Sequence, residues 1–121
     1  MGLTEADARK TLGDSVKVLR WHFAENDRAQ AEGKTKGMIK VVLGKKGRIV
    51  GASIVGPQAG ELIASWVLSV SQGLKISVFA NVVLPYPTLS EIGKRAAITN
   101  YAGLAQNPVL RRALGFLKFL G

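Results

Sequence analysis

The chain has 121 residues, of which 47% are apolar and 21% charged, and this composition excludes wholesale disorder and fits one globular domain. It contains no cysteine and a single histidine, which excludes a disulfide, a thiolate nucleophile and a multi-histidine metal site. The formal net charge of +9 is spread along the chain and aromatic residues are few, so a nucleic-acid-binding face is disfavoured. No apolar run reaches the ~18 residues of a membrane span and no signal peptide is visible, so we predict a cytoplasmic protein.

The N-terminal third predicts a short helix and then a strand. Thr4 is a candidate N-cap with acidic residues in the turn after it, and Gly13 is placed to end the helix. The β-branched and aromatic content of residues 16–23 favours a strand. Residues 26–36 are polar without a sustained period, which predicts a connecting loop, and one helical turn around Arg28-Ala29-Gln30 is left open.

The clearest strands are residues 38–43 and 49–55. Gly44-Lys45-Lys46-Gly47 lies between them and supplies turn residues at hairpin spacing. The basic run in this turn is most simply a solvated surface. Residues 49–55 are too apolar for a strand with one fully solvated face, which suggests a central strand.

A helix is predicted from about Ala59 to Gln72, with Gly73 at its end. Its other face carries small neutral serines, so both a subunit or domain contact and a simple buried helix are open. A wide apolar stripe follows the helical period, and it consists of Leu62, Ile63, Trp66, Val67 and Val70.

A stiff segment, Pro85-Tyr86-Pro87, stands before the next predicted helix. The two prolines fix φ and disfavour the α region for the residue before each, so we predict an extended segment that presents Tyr86. Thr88 and Glu91 have the spacing of a capping box, and the helix after them is predicted to run to about residue 101.

Two more helices complete the pattern. A short one is predicted over residues 78–83. A last one is predicted over residues 109–120, and it could dock on its own domain or on a dimer mate, or make a peripheral contact with a membrane surface. The pattern as a whole predicts an α+β fold with an antiparallel sheet of about three to five strands and helices packed on one face. We divide the chain into a domain of residues 1–102 and a helical extension of residues 103–121.

Several strings, in the right order over residues 2–100, resemble the C-terminal dimerisation domain of the flavin-dependent pyridine nucleotide–disulfide oxidoreductases, the family of dihydrolipoamide dehydrogenase, glutathione reductase and mercuric reductase. Each string alone is a weak signal, but their common order is specific. In chain order, the strings are Gly2-Leu3-Thr4-Glu5-Ala6-Asp7-Ala8, Asn26-Asp27-Arg28-Ala29, Lys36-Gly37-Met38-Ile39-Lys40, Gly51-Ala52-Ser53-Ile54-Val55-Gly56-Pro57, Gly60-Glu61-Leu62-Ile63 and Pro87-Thr88-Leu89-Ser90-Glu91.

The departure from the family that bears most on function is at the histidine of its best-known motif. The family motif usually reads His-Pro-Thr-Leu-Ser-Glu, and its histidine, oriented by the glutamate, acts as an acid/base in the partner subunit. Here that position is Tyr86, whose ordinary pKa near 10 makes it a poor proton carrier at neutral pH. Tyr86 is either a hydroxyl offered to the partner's active site or a half-buried interface tyrosine. Glu91 is either a helix cap or a catalytic residue, and His22, in the first strand, does not replace the missing histidine.

The resemblance implies a dimerisation-domain fragment that forms a homodimer and completes the active site of an FAD-dependent NAD(P)H oxidoreductase. No glycine-rich nucleotide fingerprint and no cysteine pair are present, so FAD and NAD(P)H are expected on upstream domains of the parent, with no cofactor or metal in this fragment. The fragment alone is not expected to be an enzyme. The alternative, drawn from the charge of +9 and the last helix, is a basic binding module for nucleic acid or an anionic membrane surface.

Overall fold

In a computed structural model, which describes residues 1–101, three strands form one antiparallel sheet in the order β1-β2-β3. They are β1 (Lys17–His22), β2 (Met38–Leu43) and β3 (Ile49–Val55). Strands β2 and β3 have the bounds that the sequence predicts, and β1 lies inside its predicted range. With the helices on this sheet, the fold is α+β, as predicted.

Six α-helices accompany the sheet in the described part of the chain. The predicted helix over residues 59–72 is divided into two helices at Ile63. The bounds are α1 (Glu5–Leu12), α2 (Asp27–Glu32), α3 (Ala59–Leu62), α4 (Ala64–Ser71), α5 (Ser77–Asn81) and α6 (Glu91–Thr99), with short 3-10 turns at Gly13–Ser15, Phe23–Glu25 and Lys45–Gly47.

The main core lies between one face of the sheet and the helices α4 and α6. Alternate strand residues point to this face, and Leu19, Ile39 and Val41 are buried on it. Trp66 of α4 is buried against them and stacks on Phe79, with ring centroids 3.8 Å apart. This packing fixes α4 so that one side of the helix faces the core and the other side faces outward.

The opposite face of the sheet is partly covered by α1. Thr4 caps this helix as predicted, because its Oγ1 accepts the backbone N–H of Asp7 at 3.1 Å. Ala8 is fully buried in a small cluster with Val42 of β2. Glu5 forms an ion pair with Lys40 at 2.8 Å, which ties the start of α1 to the sheet.

Strand β3 lies at the edge of the described sheet and β2 is central, so the prediction of a central strand over residues 49–55 was wrong. The apolar content of β3 has another cause, since its side chains are covered on both faces of the sheet: Ile49 is buried in the main core, and Val50 packs against the small cluster that contains Ala8. The first residues of the chain also cover the outer edge of β3. The N–H of Leu3 donates to the carbonyl of Val50 at 2.9 Å, and the N–H of Ala52 donates to the carbonyl of Met1 at 3.0 Å. These bonds satisfy edge groups that would otherwise need water.

The predicted last helix, residues 109–120, and the extension 103–121 that contains it lie outside the described residues. Among residues 1–101, no helix has the length and apolar character that a membrane crossing needs.

Candidate functional site

The segment that presents Tyr86 lies between α5 and α6. The tyrosine is 68% exposed, as a residue offered to another molecule has to be. The Tyr86–Pro87 peptide bond is cis, which the sequence did not reveal. The hydroxyl of Thr88 donates to the carbonyl of Pro85 at 2.8 Å and closes the segment on itself.

The N-terminus of α2 holds this segment at two points. Asn26, only 3% exposed, caps α2 by accepting the N–H of Ala29 at 2.9 Å, and its Nδ2 donates to the carbonyl of Thr88 at 3.2 Å. The next residue, Asp27, accepts a hydrogen bond from the Tyr86 hydroxyl through Oδ2. One short helix therefore anchors both the backbone and the phenol of the segment.

The charges around Tyr86 keep its phenol protonated. The hydrogen bond to the Asp27 carboxylate, and its negative charge, raise the pKa of Tyr86 above the ordinary 10.0. Glu91 acts in the same direction, while Arg95 opposes them. At neutral pH the phenol is neutral, as an unperturbed tyrosine is, and its raised pKa works further against ionisation.

The capping box predicted from Thr88 and Glu91 is not formed. The structure begins α6 at Glu91 with Ser90 as its N-cap, and no side chain accepts a hydrogen bond there. The reason is the position of the helix start, because with Ser90 as N-cap Thr88 lies two residues too early to cap α6, and Glu91 is the first helical residue instead of the third. The helix instead begins with backbone hydrogen bonds between residues three positions apart, such as the N–H of Glu91 to the carbonyl of Thr88 at 3.4 Å. The structure therefore gives Glu91 no capping role.

His22 is exposed and is the last residue of β1. Residues 1–101 contain no group of three or more acidic or histidine side chains that could hold a metal ion. Neither observation provides a proton carrier in place of the family's histidine.

Sequence reasoning missed Asn26 and Asp27 as partners of the Tyr86 segment. Both belong to the string Asn26-Asp27-Arg28-Ala29 that resembles the family, and this resemblance was the one sign in the sequence that the two residues could matter for the site. Their roles depend on contacts between residues 59 and 62 positions apart. A local pattern cannot reveal such contacts, because it describes only neighbours along the chain.

A second candidate surface is the outward side of α4. Val67 is 44% exposed and Leu68 is 61% exposed on this helix, although the neighbouring Trp66 is buried. An apolar groove of about 240 Å³ lies beside it, lined in part by Trp66, Val78 and Val82. Exposed apolar side chains next to an apolar groove are typical of a contact surface.

The sequence profile of the pyridine nucleotide-disulphide oxidoreductase dimerisation domain matches residues 1–97. This chain belongs to that family. The dimerisation domain is 39% identical over 102 residues to a dihydrolipoyl dehydrogenase of Rhizobium etli, covering 84% of this chain and 21% of the relative. It is 44% identical over 92 residues to that of Thermus scotoductus, covering 75% of this chain and 20% of the relative.

Solved structures agree with this family and fold. The dimerisation domain resembles the HOCl-induced flavoprotein disulfide reductase RclA from Escherichia coli with a TM-score of 0.74 and 26% identity, over 80% of this chain and 22% of the reductase. It shares the fold of LpdA from Mycobacterium tuberculosis with a TM-score of 0.75 at 22% identity, over 84% of this chain and 22% of LpdA.

The chain spans about a fifth of the length of the curated relatives that it matches. These relatives are named as enzymes, which does not favour the alternative of a basic binding module.

Proposed function

We propose that residues 1–102 are the dimerisation domain of an FAD-dependent NAD(P)H oxidoreductase of the cytoplasm. In this proposal the domain forms a two-fold homodimer and offers Tyr86 to the active site of the partner subunit. Family membership supports the reductase origin. The dimer and the role of Tyr86 rest on the surfaces described above.

The observation that carries the homodimer is the uncharged outward face of α4. Residues 62–74 contain no charged side chain in a chain whose net charge is +9. Two copies repel each other least where neither presents charge, and a two-fold interface sets the same face against itself. Val67 and Leu68, both exposed there, supply apolar surface for such a contact.

The proposed role of Tyr86 rests on its fixed exposure. Asp27 and Asn26 anchor the segment from α2, so the phenol points outward from a supported position. Supported side chains are what an active site needs, because small misplacements of a contacting group reduce activity. In a two-fold dimer, such a group on one copy can serve the site of the other copy.

The cofactors belong to the parent enzyme in this proposal. The sequence contains no glycine-rich nucleotide fingerprint, so we assign FAD and NAD(P)H to upstream domains. A bound flavin supplies the electron-transfer chemistry of such an enzyme. The residues of this chain hold the two copies together and position a neutral phenol.

Sedimentation velocity on the full chain tests the homodimer. We expect the mass of a dimer at ~100 μM protein without added flavin, since association depends on protein concentration and not on a cofactor here. A chain that sediments only as a monomer at this concentration would overturn the proposal.

A further inference from the structure

We propose that Asp27 is a positioning residue that accepts the hydrogen bond of the Tyr86 hydroxyl, so that the phenol oxygen faces the partner subunit as a hydrogen-bond acceptor. The orientation toward a partner rests on the proposed function. The pairing of the two side chains stands on the geometry of this chain.

The anchor behind Asp27 is a buried residue with two hydrogen bonds. Asp27 is the first residue of α2, and the helix is fixed on one side by its buried cap, Asn26. The same asparagine binds the carbonyl of Thr88 at 3.2 Å, two residues beyond the tyrosine. The distance between Asp27 and Tyr86 is therefore set by backbone anchors at both ends and not by the two side chains alone.

The hydrogen bond decides what Tyr86 can offer. A phenol carries one hydrogen and two oxygen lone pairs, and a carboxylate can only accept. Because the hydroxyl of Tyr86 donates its one hydrogen bond to Asp27, its oxygen can only accept a hydrogen bond from a further group. The partner group that fits is a donor, such as a thiol, a hydroxyl or an N–H. This is a positioning and recognition role in which no proton leaves the phenol.

Charged groups on two elements influence this pair. Asp27 lies on α2, while Glu91 and Arg95 lie on α6. Asp27 is the largest cause of the raised pKa of Tyr86, Glu91 adds to it, and Arg95 lowers it. Removing the charge of Asp27 should therefore lower the pKa of Tyr86, since the ionised phenol is then less unfavourable.

The test is an ultraviolet titration of tyrosinate in the full chain. The chain has two tyrosines, so Tyr86→Phe identifies the signal of Tyr86 by difference. In Asp27→Asn we expect the pKa of Tyr86 to fall toward its ordinary value. Asp7→Asn is the matched control, because Asp7 is a first-turn acid of α1 and should leave this titration unchanged. A Tyr86 titration that is identical in Asp27→Asn and the unmodified chain would overturn the assignment.

A second measurement separates positioning from a purely local effect on α2. The loss of resistance to urea caused by Asp27→Asn should be smaller in a Tyr86→Phe background, because the shared bond is then already absent. Equal losses in both backgrounds would contradict the pairing. The proposed function fails separately: a monomeric chain overturns the dimer, whereas an unmoved titration in a dimeric chain overturns only the role of Asp27.

Discussion

Gly93 of α6 packs directly against the indole of Trp66, and at this position one methyl group decides the fit. A Cβ added to Gly93 would lie 2.6 Å from Cζ2 of Trp66, closer than such atoms can approach. The indole cannot move freely, because it is buried and stacked on Phe79. We therefore expect Gly93→Ala to lower the free energy of unfolding by about 1–2 kcal/mol, measured by urea denaturation, despite the higher helix propensity of alanine.

Gly60 of α3 provides the matched control for that substitution. A Cβ at Gly60 would meet no atom within 4 Å, although this glycine is also in a helix. Gly60→Ala should leave stability unchanged or raise it by about 0.5–1 kcal/mol, since only the backbone entropy of the unfolded chain changes. If both variants lose the same stability, the contact with Trp66 is not the cause.

At the scale of elements, α2 and the Tyr86 segment behave as one unit joined by Asn26. Asn26→Ala removes the cap of α2 and also the donor to the carbonyl of Thr88. We expect a loss of about 2 kcal/mol in urea denaturation, because the variant loses the cap of α2 and a second hydrogen bond made by the same buried side chain.

Thr4→Ala is the comparison for this loss, because Thr4 caps α1 through one local bond. It should cost about 1 kcal/mol. An Asn26→Ala variant no less stable than Thr4→Ala would show that the bond to Thr88 contributes nothing to stability.

Local signals predicted the strands well but not α2, because Asp27–Glu32 lies in a stretch predicted as a connecting loop. Contacts across the chain were not predictable. Thr4, Gly13 and the turn residues between β2 and β3 act within a few residues, so the sequence alone was sufficient for these bounds. The capping box predicted at Thr88 fails because α6 begins with Ser90 as N-cap, and the Thr88 hydroxyl donates to the carbonyl of Pro85. The position of β3 at the edge follows from the pairing of β1 with β2, for example of Leu19 with Val41, which no local period contains.

The candidate site was predictable in the same uneven way. The proline-flanked segment indicated an exposed tyrosine, and Tyr86 is exposed. Its partner Asp27 was not predictable, because an acid at the start of a helix already has a local explanation in the helix dipole. Only the folded chain brings the carboxylate to the phenol.

At the scale of the whole molecule, the proposed dimer depends on the outward face of α4, and Leu68 is the most exposed large apolar residue on that helix. Leu68→Asp would place two carboxylates, one from each copy, in the same two-fold interface. Burying unpaired like charges is unfavourable, so we expect the dissociation constant of the dimer to rise about tenfold or more, measured by sedimentation over a concentration series.

Val55→Asp is the matched control for this substitution. Val55 is 69% exposed, close to the 61% of Leu68, so the two changes introduce the same charge at similar exposure. Successive strand residues face opposite sides of a sheet, and Ile54 lines the groove beside α4, so Val55 points away from the proposed interface. We expect Val55→Asp to dimerise like the unmodified chain, with both variants keeping the same circular dichroism spectrum. If Val55→Asp weakens the dimer and Leu68→Asp does not, the two copies associate through the opposite face of the sheet and the assignment to α4 is wrong.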